Sequence, residues 1–443
     1  MSAIHTVTSS ALFGSLADFR KDPVGFLGML HGQPADVVKF RLAHQWLYYV
    51  RGPEALQDMF RQWNTAEKAQ DRRMKAVLGQ GIVFMNGDTW AANRKAMVPY
   101  FHRQALGDYV SIMHQQALVQ MEGMPQAAAK GQPFAASDAC YQVAIRVVRD
   151  CLFGTDHNAE EIQKVLDGVQ ILLDYSVLTA GNPLYPPLWV PTPKHQSVKA
   201  WVKTVDEVIH RTLHQKRHAP ESDTSLIRML LHTQDEQGQR LMDDTTVADH
   251  VKIFFVAGTE TSANTMAFAL WQLAQHSQWQ QRVVEEVRRV LGSRAITMED
   301  IPQLPTLRQV LLETLRLYPA TWINIRRTSG PIQLGDAEVP GGVRLMFSTY
   351  WHHRNPALWE NPESFRPDRF VPGVALPSYF QPFITGPRKC IGDQFALTEM
   401  MVVLATWLQH YSFQLPAGSA PKVKFGATLS LDPPLQLLVA PVG

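Results

Sequence analysis

Residues 383–392 read FITGPRKCIG, and a single cysteine, Cys390, stands there between Lys389 and Ile391. Gly386 lies four residues before it and Gly392 two after, and only Cys140 and Cys151 accompany it in a chain of 443 residues. A solitary cysteine is ordinarily a small, buried, apolar side chain. The neighbours argue for something else here. Both glycines permit tight turns that leave backbone N–H groups to face the sulfur, and Pro387 stiffens the approach. Arg388 and Lys389 favour thiolate over thiol. The next stretch, CIGDQFALTEMMVVLATWLQHY, reads as a strongly amphipathic helix. Cys390 therefore precedes a helix N-terminus, whose partial positive charge also favours an anion.

A stabilised thiolate can act as a nucleophile or bind a metal. The nucleophile reading needs a histidine base, which the sequence does not place. Zinc would call for further cysteines or histidines at close spacing, and none is present. Haem iron needs only one thiolate, because the porphyrin supplies four in-plane ligands.

The totals fit an ordinary globular protein. Apolar residues make up 45%, consistent with a sizeable core. Basic and acidic side chains number 42 and 40, which gives no indication of nucleic acid as a partner. Three cysteines cannot form a disulfide framework and suit a reducing compartment. No stretch reaches the roughly 18–20 apolar residues of a membrane span, and the N-terminus lacks the pattern of a signal peptide. A soluble, cytoplasmic protein is the expectation.

Along the chain, DVVKFRL and QWLYYV around residues 36–50 read as strands. PEALQDMFRQW, ALGDYVSIMHQQALVQMEGM and SVKAWVKTVDEVIHRTLHQKRH repeat apolar residues at helical spacing. The longest helix is expected from about Asp244 to His276, with Asp243 or Asp244 as its N-cap. GNPLYPPLWVPTP (181–193) holds five prolines and is non-helical. Leu184, Tyr185, Leu188, Trp189 and Val190 make it a loop over an apolar cavity rather than a solvated linker. Further β-rich parts are expected near 331–350 and 421–441. The fold class is mainly α with a smaller β-rich region, in a single large domain over residues 1–443.

Phe383, Gly386, Arg388, Cys390 and Gly392 match FxxGxRxCxG, and through them the chain resembles the cytochrome P450 family. The resemblance implies that Cys390 is the proximal haem ligand, that Arg388 binds a propionate and that Phe383 packs near the sulfur. Other segments agree. Phe254, Ala257, Gly258, Thr261 and Thr265 share one helix face, where small residues leave room for a flat ligand and a diatomic molecule. Close helix packing explains Gly258 equally well. Ala257-Gly258-Thr259-Glu260-Thr261 resembles the family's distal-helix motif, in which an acid and an alcohol deliver protons to dioxygen. Glu313 and Arg316 resemble the ExxR motif, completed by Arg369 in FRPDRF as a structural charge network. Trp90 and Arg94 resemble the WxxxR element that contacts a propionate. Arg326, four residues after Trp322, resembles another propionate ligand, with Arg327 beside it as a competitor.

The resemblance, which covers roughly residues 35–440, implies a haem-thiolate monooxygenase with haem b. One oxygen atom of O2 would enter an apolar substrate by hydroxylation or epoxidation, in lipid or secondary metabolism. Phe254, Ala257, Thr265, Trp322 and Ile323 are the expected lining of its pocket. No fused reductase is visible. Electrons from NAD(P)H would therefore arrive indirectly, through a ferredoxin or flavodoxin with its reductase. Arg72, Arg73, Lys75, Lys95, Arg103 and Lys389 form a candidate docking face for such an acidic partner. A peroxide-using or oxidative-coupling haem-thiolate enzyme is the alternative, followed by a non-enzymatic haem sensor.

Overall fold

The computed structural model describes residues 4–8, 14–69, 72–155, 160, 163–165, 168–180, 185–235 and 237–442. Its backbone clusters into two compact units, and the chain enters each of them in turn. One comprises Met1–Gln70, Arg316–Phe365 and Ala375–Cys390, and the other Asp71–Leu315, Arg366–Val374 and Ile391–Gly443.

The first unit carries the β-rich part. β1 (Ile4–Thr6), β2 (Val37–Leu42), β3 (Gln45–Val50), β4 (Ala66–Lys68), β5 (Asn324–Thr328) and β8 (Arg344–Phe347) form a sheet in the order β1-β2-β3-β8-β5-β4. Between β5 and β8, β6 (Ile332–Leu334) and β7 (Ala337–Val339) make a separate antiparallel pair. β2 and β3 are the strands expected near 36–50, while β1, β4 and β5 lack an alternating pattern long enough to be read in advance. The helix Pro53–Arg61 buries Ala55, Leu56, Met59 and Phe60, which recur on one face by helical spacing. They join Val37, Tyr48, Val50, Leu345 and Phe347 in one core cluster. Each large apolar side chain buried there contributes about 1.5–3 kcal/mol.

The second unit is helical, with small β pairs near its C-terminus. Asp243 caps the helix Asp244–Gln275, its carboxylate accepting from the Thr246 N–H at 2.7 Å. That helix packs most extensively against Ala136–Phe153. β9 (Tyr411–Gln414) pairs with β12 (Leu438–Pro441), and β10 (Lys422–Phe425) with β11 (Leu429–Asp432).

Two expectations need correction. The helix Asp393–His410 is not amphipathic: every residue from Thr398 to Gln409 is buried, polar ones included. Bonds to distant segments satisfy some of these polar groups, as when the Trp407 indole N–H donates to the Ala117 carbonyl at 2.9 Å, and burial raises the Glu399 carboxyl to about 8. The proline-rich stretch needs correction at Trp189 only, which is 78% exposed, whereas Leu188 lines a cavity with Ala76 and Val202. Its last proline, Pro193, opens the helix Pro193–Lys216, where a missing N–H costs nothing. Leu184 lies outside the described residues.

Candidate haem site

Cys390 is exposed at the end of its loop, whereas Cys140 and Cys151 are buried and their thiols are pushed up by burial. The loop is closed by the Cys390 N–H donating to the Phe383 carbonyl at 2.9 Å and Lys389 N–H to the Gly386 carbonyl at 3.0 Å. Gly386 has φ +73°, and a Cβ there would come within 3.0 Å of the Phe60 carbonyl. A glycine is required at that point, both for the left-handed backbone and for the close approach. Gly392 also lies in a turn, with φ −93°, and precedes the first turn of the helix Asp393–His410. Ile384, with φ +61°, is left-handed like Gly386.

A cationic cluster belongs to the same unit. Strand β5 alternates, so that Arg326 points inward and is 6% exposed while Arg327 is exposed. Of the two arginines, Arg326 is the one turned into the protein. Lys68 sits directly opposite it in the antiparallel β4–β5 pair. Burial, followed by the charges of Arg326 and Arg388, pulls the Lys68 ammonium down to about 8. Burial alone lowers Arg326 to about 10. The charges of Arg326 and Arg388 both act on Lys68, and positive charge gathered in this way fits the two propionates of haem. Lys68 was missed in the sequence because β4 is three residues long and belongs to no motif. Trp322 is buried, its carbonyl accepting from the Ser348 hydroxyl at 2.8 Å, and Ile323 is half-buried beside it.

In the second unit, Trp90 and Arg94 meet on the helix Gly87–Met97, the guanidinium 5.7 Å from the indole centroid. Asn93 on that helix accepts from His250 Nε2 at 3.2 Å, and His250 Nδ1 accepts from the Ile82 N–H at 3.0 Å. Burial keeps His250 neutral, holding its pKa near 4. Phe254 stacks on His250 with centroids 6.1 Å apart. Asp249 accepts from the Gln80 N–H at 2.6 Å, so that Asp249 and His250 together tie the long helix to the segment before Trp90, a role with no sequence motif.

Further along the helix, Ala257 is exposed and Gly258 and Thr261 are half-buried. Close packing accounts for Gly258: a Cβ there would lie 2.9 Å from Val148 Cγ2 on the helix Ala136–Phe153. The acid–alcohol pair is intact in sequence, but its members turn to different partners. Thr261 donates to the Ala257 carbonyl at 2.8 Å. Burial raises the Glu260 carboxyl, and the Thr428 hydroxyl partly offsets this. Thr265 is buried and donates to the Thr261 carbonyl at 2.8 Å.

Glu313 and Arg316 are both fully buried, not an exposed ion pair. Glu313 accepts from the Arg369 Nε at 3.3 Å and from the Arg366 N–H at 2.8 Å, within the second unit. Arg316, in the first, donates to the carbonyls of His353, Pro362 and Ser364 at 2.9, 2.7 and 3.2 Å. Of the surface cations, Arg73 is not a docking group: it holds the Thr179 and Tyr185 carbonyls at 3.1 and 2.8 Å. Among the described residues no cluster of three metal-ligating side chains occurs, and no helix is long and apolar enough to cross a membrane. The exposed Cys390 is a donor suited to a metal that needs one protein ligand, as in haem.

The chain matches the family described as Cytochrome P450 over residues 6–439. A cyclooctat-9-en-7-ol 5-monooxygenase of Streptomyces melanosporofaciens is 28% identical over 404 residues, covering 90% of this chain and 86% of its own length. Cytochrome P450 4F4 of Rattus norvegicus is 30% identical over 400 residues, covering 83% and 75%. Leukotriene-B4 omega-hydroxylase 3 of Mus musculus is likewise 30% identical, over 398 residues, covering 83% and 75%. With the match running nearly end to end, the chain belongs to the cytochrome P450 family and is an oxidoreductase of its monooxygenase class.

Proposed function

We propose that this protein binds haem b through Cys390 and hydroxylates or epoxidises an apolar substrate, with electrons from a separate redox partner. One observation carries the reading: an exposed cysteine ends a rigid loop in the unit that also gathers Lys68, Arg326 and Arg388. Haem, when bound, supplies the activation of dioxygen by a thiolate-ligated iron.

The side chains have separate tasks. Cys390 supplies the thiolate, Arg388, Arg326 and Lys68 take propionate charge, and Trp90 with Arg94 adds a further cationic contact. Phe383, Gly386 and Gly392 shape the loop, and Ala257 and Gly258 keep the distal helix slender. Thr261 and Glu260 handle protons. A carboxyl raised by burial holds its proton closer to neutral pH than an exposed one and can release it to a hydroxyl. Delivery requires the Thr261 hydroxyl to leave the Ala257 carbonyl. Glu313, Arg316 and Arg369 act structurally. Phe254, Ala257, Thr265, Trp322 and Ile323 are the proposed substrate contacts, and their character favours an apolar ligand such as a terpenoid or a fatty acyl chain. Among the relatives, two names speak of a cyclooctatenol and of a leukotriene.

A ferredoxin or flavodoxin with its NAD(P)H-dependent reductase is the proposed electron source. The test is a screen of terpenoids and fatty acids for substrate-induced spin-state change, followed by turnover with a surrogate ferredoxin system. Product containing one atom from labelled O2 is expected. Equal product from peroxide alone, with none from NAD(P)H, would favour the peroxide-using alternative. Thr261→Ala should consume electrons at a similar rate with several-fold less product; unchanged coupling would remove Thr261 from the proton path.

A further inference from the structure

His353 is fully buried in the first unit, and both of its ring nitrogens are engaged. The Gln381 N–H donates to Nε2 at 2.9 Å, which makes Nε2 an acceptor and leaves the ring proton on Nδ1. Nδ1 then donates to the Arg316 carbonyl at 3.2 Å. Arg316 answers with Nη1, which donates to the His353 carbonyl at 2.9 Å. The imidazole is also held by its faces, stacked on Phe380 at 5.4 Å and edge-on to Trp359 at 6.2 Å. Burial, then the charges of His352, Arg316 and Arg354, keep it neutral, while its bond to the Arg316 carbonyl acts in the opposite sense.

From Gln381 the bonds continue into the cysteine loop. The Ile384 N–H donates to the Gln381 carbonyl at 3.1 Å, and the Cys390 N–H to the Phe383 carbonyl at 2.9 Å. Between them stand the two left-handed residues, Ile384 and Gly386. A non-glycine residue in that region persists only where its surroundings over-determine it. The loop's first fixed point is therefore the Gln381 amide, and what fixes that amide is a side chain 28 positions earlier. Arg316 is joined to the loop through this ring, and its own guanidinium donates to the carbonyls of His353, Pro362 and Ser364.

We infer that His353 is a positioning residue for the thiolate: as a single neutral tautomer it spans Arg316 and Gln381 and sets where Cys390 presents its sulfur. The inference rests on the reading of Cys390 as the haem ligand.

Haem-loaded wild type, His353→Gln and His353→Leu are compared after reduction and addition of carbon monoxide. The rate at which the thiolate-type Soret band gives way to a thiol- or histidine-type band is measured at a temperature where far-ultraviolet circular dichroism shows all three folded. His353→Leu, which can neither donate nor accept, should convert at least tenfold faster than wild type. His353→Gln keeps both capacities and should convert within about threefold of wild type. Should His353→Leu fail to accumulate with haem, His353→Asn, whose shorter amide reaches only one neighbour, takes its place with the same expected acceleration. Equal rates for wild type and the disabled variant would overturn the inference, as would a glutamine variant as fast as leucine. A wild type with no thiolate-type band would instead refute the Cys390 reading itself, so the two failures are distinguishable.

Discussion

Lys68 shows what one side chain adds that no motif announces. It faces Arg326 across a strand pair, and Arg388 also acts on it. Lys68→Met removes one charge-assisted contact to a propionate, worth about 1.5 kcal/mol. Haem transfer to an apoprotein acceptor should therefore be roughly tenfold faster, and an unchanged transfer rate would remove Lys68 from the site. At this scale the sequence was informative wherever chemistry dictates residue type. Gly386 does adopt the left-handed turn for which glycine has few substitutes, and Cys390 and Arg388 are proposed on the same ground, because thiolate and guanidinium have few substitutes. Arg326 could be told from Arg327 only once strand alternation was known. Glu260 and Thr261 were legible as a pair, but the partners they choose, Thr428 and the Ala257 carbonyl, depend on tertiary placement.

At the level of elements, Gly258 sits where two helices approach too closely for a side chain. Gly258→Ala gains about 1 kcal/mol of helix propensity but must displace Val148, and overpacking of that kind costs about 1–3 kcal/mol. Net destabilisation is expected in the wild-type background, and net stabilisation of about 1 kcal/mol when Val148→Ala is present. Denaturant midpoints across this double-mutant cycle test it, and additivity would show that the two positions do not meet. His250 makes a second prediction. Its folded pKa, about 4, lies below the unfolded value of about 6.5. Between those values the unfolded chain binds more protons, so stability falls as pH drops through this window, by at most about 3 kcal/mol from this group. His250→Gln should flatten the slope of unfolding free energy between pH 6.5 and 4, although His31 and His352, also held neutral by burial, retain their share. An identical slope in the variant would contradict the assignment. The long helices were readable because apolar spacing and the Asp243 cap agree. The helix Asp393–His410 was misread: nothing in its sequence says that Glu399, Thr406 and Gln409 are buried, and apolar residues beside polar ones look amphipathic until the neighbours are known.

For the whole molecule, near-balanced charge and an apolar share of 45% left the class open, and the cysteine loop decided it. What composition could not convey is how the chain alternates between its two units, because that depends on contacts between residues far apart in sequence. The central claim is that Cys390 is the protein's bond to haem iron. It is tested most directly by reducing the reconstituted protein under carbon monoxide, beside its Cys390→Ser variant. The account predicts a Soret band far to the red for wild type and its loss in the variant. A histidine-type band in the wild type, or the same spectrum from both proteins, would contradict it.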